Sequence, residues 1–156
     1  MKKIAKLANW LALLAVTIWA GALWAVGYLA VPVLFHMFPD NRMMAGDIAG
    51  HMFSLVGITG IFCAAWLLIY YLAAYGRAAP RRLEFHLVIA MLALTLSILL
   101  GLQPIMADLK AQIFPADITQ SPLADRFRLL HIISSVCYLI QSLLAVVLVI
   151  RSRSPE

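Results

Sequence analysis

Charge is what this sequence most lacks. Asp, Glu, Lys and Arg make up 12% of its 156 residues, against 64% hydrophobic, and the mean hydropathy is +0.95. A soluble domain carries about a quarter charged residues, so this composition excludes one and implies a chain solvated by lipid. Cysteine is almost absent as well. Cys63 and Cys137 both fall inside apolar runs, which excludes an extracellular disulfide framework, and no CxxC pair is present. There is no G-x-S-x-G elbow, phosphate-binding glycine loop or H-E-x-x-H helix, so hydrolytic and nucleotide chemistry find no motif to rest on.

What the chain does have is long apolar runs. Crossing the hydrocarbon core takes roughly 20 predominantly apolar residues, and four such runs fit: about 7–33, 48–75, 83–106 and 123–150. The expected fold is therefore all-α, an integral membrane four-helix bundle forming a single transmembrane domain over 1–156. Met1-Lys2-Lys3 before an apolar run looks like the start of a secretory signal, but the run continues well beyond a signal h-region. It reads as the first span.

Charge placement sets the expected orientation. Lys2, Lys3, Lys6, Arg77, Arg81, Arg82, Arg151 and Arg153 fall on one side, against Arg42, Lys110, Arg126 and Arg128 on the other. By the positive-inside rule both termini are cytoplasmic, in a bacterial inner membrane. The +5 net charge then marks topology and contact with anionic lipid, not nucleic-acid binding.

Candidate chemistry concentrates between the first two runs. Leu34 to Met52 contains His36, Met37, Met43, Met44, Asp47, His51 and Met52. Asp40 or Asn41 can cap a helix starting there, on which Met44, Asp47, His51 and Ser54 share a face. The Asp47 carboxylate, one turn before His51, can hold the imidazole N–H and present the other nitrogen to a metal; the bland alternative is a capped helix end with a satisfied His. In the fourth run Phe127, His131, Ser134 or Ser135, Tyr138 and Gln141 or Ser142 make a polar seam that should face the bundle interior. Gly46, Gly50 and Gly57 form a small-residue stripe suited to a homodimer or membrane partner, and Thr17, Gly21 and Ala25 form another. Pro32 should bend or end the first helix, and Gln103-Pro104 should mark the outer end of the third. The loop 107–121, with Leu109, Ile113 and Phe114, reads as a short amphipathic piece on the membrane surface. Glu84 and His86 read as a solvated interfacial cluster.

Trp19-Ala20-Gly21, Val31 to Phe35, Ala45 to Gly50 with Phe53, and Phe127 to His131 with Ser134 together resemble the transmembrane protein 205 family of four-pass proteins. That family is distantly similar to CopD copper-resistance domains and HemJ-type haem-pathway oxidases. The resemblance implies a four-helix membrane bundle with a functional histidine.

Three functional readings follow. One is handling of a transition metal, copper foremost, by His36, His51, His131, Met44, Met52 and Asp47, with Met37, Met43 and Met106 nearby, since thioether and imidazole suit Cu(I). Another is a haem b or quinone redox bundle, with His51 and His131 as axial ligands and Tyr138 beside the cofactor. The last is a non-catalytic scaffold or partner-docking subunit whose polar seam only registers the helices. An enzyme is the less favoured expectation.

Overall fold

The computed structural model describes residues 2–113 and 121–152, and it is helical throughout. Helix α1 spans Lys2–Ala25, α2 Val31–Met37, α3 Arg42–Tyr75, α4 Leu83–Leu96, α5 Gln103–Ala111 and α6 Ala124–Ser152. A π-turn, Val26–Ala30, joins α1 to α2, and a second, Ser97–Leu102, joins α4 to α5. The outcome is four continuous stretches long and apolar enough to cross a membrane: Lys3–Met37, Arg42–Arg81, Leu83–Ala111 and Ala124–Ser152. The chain is an all-helical integral membrane protein.

These stretches run past the apolar segments legible in the sequence. At 1.5 Å per residue the first two exceed about 50 Å, well beyond a hydrocarbon core of about 30 Å, so their polar ends stand clear of the lipid tails. Neither proline terminates the span it stands in. Each sits at the second residue of the helix that follows a π-turn, Pro32 after Val26–Ala30 and Pro104 after Ser97–Leu102. A proline ring collides with the carbonyl four residues earlier. One residue of extra winding moves that carbonyl aside, and the helix continues.

Ends are set by local chemistry. The Asn41 side chain caps α3 by accepting from the Met44 N–H at 3.1 Å. At the other end Gly76 turns the chain with a φ of +52°, a conformation that favours glycine. Packing follows a square, with α1 and α4 each lying against both α3 and α6. Trp19, Leu23, Leu67, Val88, Met91 and Leu148 fill its centre, and Ala12, Ala15, Ala64 and Ala145 let the backbones approach. Large apolar side chains such as Leu55, Phe62, Ile69, Leu100 and Leu143 point outward. In water that surface would aggregate; in a bilayer it is the lipid-facing wall.

Candidate functional site at the His and Met end

The turn 38–41 brings the end of α2 beside the start of α3, and the α5 and α6 residues of the candidate set belong to the same end of the bundle. On α3, Ala45, Ala49 and Val56 are buried against the neighbouring helices. Met44, Asp47 and His51 project from another side of the same helix and are exposed. They share a face, as their spacing requires, but it is not the packed one. Met37 is 68% exposed, Met43 40% and Met44 46%. Met52 and Met106 are half-buried, and His36 is exposed. The Met44 sulfur accepts a long contact from Asn41 Nδ2 at 3.8 Å.

Asp47 does not hold His51 as expected. Its carboxylate is 2.9 Å from Lys110 Nζ on α5, a salt bridge between residues too far apart in sequence for spacing to reveal. His51 instead places Nδ1 2.9 Å from the Asp47 backbone carbonyl. A carbonyl only accepts, so Nδ1 carries the proton in this contact, and Nε2 is the nitrogen it leaves over. The outcome for the ring is the one a carboxylate would have given, reached through the backbone.

The same lysine reaches α6. Lys110 Nζ lies 5.8 Å from the Phe127 ring centroid, and Phe127 stacks on His131 at 6.3 Å with an interplanar angle of 10°. Three helices are thereby tied by Asp47, Lys110, Phe127 and His131. No hydrogen bond or ring contact joins His51 to His131 among the described residues.

The polar seam on α6 splits along its length. His131 and Ser135 are exposed, Ser134 and Tyr138 half-buried, and only Gln141 and Ser142 fully buried. The seam turns inward where α6 packs on α1 and α4, and there every group is satisfied. Gln141 Nε2 donates to Thr95 Oγ1 at 2.7 Å, Ser142 Oγ to the Tyr138 carbonyl at 2.8 Å, and Tyr138 Oη to the Leu23 carbonyl at 2.7 Å. Tyr138 also meets Phe53 edge-on at 5.0 Å, and its ring lies where a side chain on Gly27 would be. Its role in this fold is to pin the π-turn of the first span.

Other expectations change too. The third span does not end at Gln103, whose Oε1 accepts from Ser54 Oγ at 2.9 Å. Leu109 is buried on α5; Phe114 lies outside the described residues. Glu84 is buried and 3.6 Å from Arg151, not solvated. The Gly46, Gly50 and Gly57 stripe does not present one surface. Gly57 faces Leu99, Gly46 faces Lys110, and only Gly50 has open space beside it.

Residues 14–115 match the model of a domain of unknown function, DUF4149. The chain belongs to the DUF4149 family. No curated protein and no solved structure matches it. The DUF4149 match takes in His36, Met37, Met43, Met44, Asp47, His51, Met52 and Lys110, and stops before Phe127, His131 and Tyr138. Among the described residues no group of three or more His, Cys, Asp and Glu is placed to hold a metal.

Proposed function

We propose that this protein handles a soft transition metal, copper as Cu(I), at the bundle end formed by the α2–α3 turn, and that it does so without catalysis. The exposure of Met37, Met43 and Met44 beside His36 and His51 carries the reading. Thioethers held out of the core contribute no packing there, and they are ligands suited to Cu(I). His51, with Nδ1 held by the Asp47 carbonyl, offers Nε2 as the coordinating nitrogen. Met44 and His51 are seven residues apart, about 10 Å along α3, and both are exposed. The surface therefore suits brief capture and transfer better than a closed cage.

Charge asymmetry supports an orientation with this end outside a bacterial inner membrane and both termini cytoplasmic, and kinship to the transmembrane protein 205 family belongs to the same reading. Fusing a cytoplasm-active reporter to the C-terminus checks the orientation, which fails if only a periplasm-active reporter works there.

The decisive measurement is Cu(I) binding by the purified protein against a chromophoric chelator. Wild type should compete at a small whole-number stoichiometry. Met43→Leu with Met44→Leu, which conserves volume, should weaken binding at least tenfold, and His51→Ala should weaken it as well. Unchanged competition by these variants rejects the copper reading. A Soret band in protein isolated without chelators would replace it with a haem b bundle.

A further inference from the structure

The opposite end of the bundle carries a second constellation, independent of the methionines. Where α3 ends and α4 begins, a cavity of about 450 Å³ opens between the chain turn and the last turns of α6. Tyr75, Arg81, Arg82, Leu83, Glu84 and Arg151 line it. Three guanidinium groups thus meet one carboxylate in a single recess.

Each charged group is placed differently. Glu84 is buried, 8% exposed, and its carboxylate meets Arg151 Nε at 3.6 Å. A buried carboxylate needs a cation, so Glu84 fixes where Arg151 sits. The contact uses Nε, and a guanidinium has four further N–H donors. Arg82 Cζ sits over the Tyr75 ring, 4.1 Å from its centroid, which holds it by a cation–π contact. Arg81 is exposed and has no ion-pair partner among the described residues. Arg81 therefore brings to the recess a positive charge that Glu84, engaged by Arg151, does not cancel.

Its depth points to the occupant. The recess sits at the turn between α3, which ends at Tyr75, and α4, which begins at Leu83; a turn between two spans lies at the level of lipid headgroups, here next to outward-facing Leu72 and Leu83. A planar guanidinium pairs with phosphate through two N–H bonds at once. We infer that this recess seats the phosphate of an anionic phospholipid headgroup, with the acyl chains on the adjoining apolar wall. A zwitterionic headgroup brings its own cation into the same positive field and is disfavoured.

Native mass spectrometry of the full chain in a non-ionic detergent, with phosphatidylglycerol or phosphatidylcholine added, tests this. Phosphatidylglycerol should be retained in preference to phosphatidylcholine. One basic residue near an anionic headgroup contributes about fivefold in affinity, so Arg81→Gln should weaken retention by about that factor. Arg77→Gln, in the same turn but outside the recess, should leave it unchanged. Arg151→Gln also strips Glu84 of its partner, so the variant at Arg81 decides the matter. Equal retention of the two lipids, or equal losses at Arg77 and Arg81, overturns the site. Displacement of phosphatidylglycerol by an equal concentration of inorganic phosphate overturns the lipid assignment and leaves a soluble-anion site.

Discussion

Replacing Gly60 by Ala should destabilise the bundle, and the indole of Trp19 is the reason. A Cβ on Gly60 would stand 2.5 Å from Trp19 Nε1, 3.0 Å from Cε2 and 3.2 Å from Cδ1. Trp19 is fully buried, and an indole has no flexible end that can swing away, so α1 and α3 must separate locally. Overpacking of this kind costs about 1–3 kcal/mol. Alanine's better helix propensity offsets about 0.5–1 kcal/mol, which leaves a net loss centred on about 1 kcal/mol. Between helices in lipid, close packing is itself the main source of association, so the separation is not repaired by hydrophobic burial elsewhere.

Gly50 on the same helix supplies the control. Nothing lies within 4 Å of a Cβ there, so Gly50→Ala should be neutral or stabilising by up to about 1 kcal/mol. Reversible unfolding in mixed micelles, titrated with a denaturing detergent, should separate the two variants by about 2 kcal/mol. Trp19→Phe removes the ring edge that collides, along with an indole N–H that has no acceptor among the described residues. In that background Gly60→Ala should cost at least about 1 kcal/mol less, a coupling that a double-mutant cycle reads directly. Equal costs at Gly50 and Gly60, or strict additivity with Trp19→Phe, would refute the close approach of α1 and α3.

Two further outcomes follow from the buried polar contacts. Thr95→Val should cost about 1–2 kcal/mol in the same assay by stranding the Gln141 amide, and Thr95→Val with Gln141→Leu should recover most of that loss, because removing both partners leaves nothing unsatisfied; a double variant no better than the single one contradicts the pairing. Glu84→Gln should cost about 1–2 kcal/mol, less than a fully buried pair because Arg151 remains half exposed to solvent, and its stability should depend less on salt than that of the wild type.

The four crossings, the Asn41 cap and the shared face of Met44, Asp47 and His51 were legible because each is a local or periodic property. A span is a run of apolar residues, a cap lies three residues from its target, and a face repeats every three or four. What periodicity does not carry is which neighbour a face meets. The Met44 face and the outer half of the α6 seam look alike in sequence to the buried half at Gln141 and Ser142. Only the packing of α6 on α1 and α4 separates them. The partners of Asp47 and Glu84, Lys110 and Arg151, lie on other helices and carry no mark in the sequence beyond opposite charge. Pro32 and Pro104 misled for a different reason. The usual consequence of a proline was correctly weighed, but the π-turn that absorbs it depends on one extra residue of winding, for which composition gives no signal.

The Asp47–Lys110 pair also bears on which metal the exposed donors could take. With the carboxylate neutralised by an ammonium at 2.9 Å, the remaining ligands are imidazole and thioether, all uncharged. A divalent ion gains little from such a set and is repelled by Lys110, whereas a soft monovalent ion is bound through polarisable sulfur and loses less. Both side chains are partly exposed, at 31% and 55%, so the pair itself contributes no more than about 1 kcal/mol to stability, and Lys110 can be changed without unfolding the protein. Lys110→Gln releases Asp47 as an anionic oxygen ligand next to His51. Competition titrations should then show wild type preferring Ag(I), a redox-stable surrogate for Cu(I), over Zn(II), and the variant gaining Zn(II) affinity while its Ag(I) affinity stays nearly constant. Should Zn(II) binding be unchanged by Lys110→Gln, the salt bridge has no part in metal selection, and the thioethers alone must account for whatever preference is found.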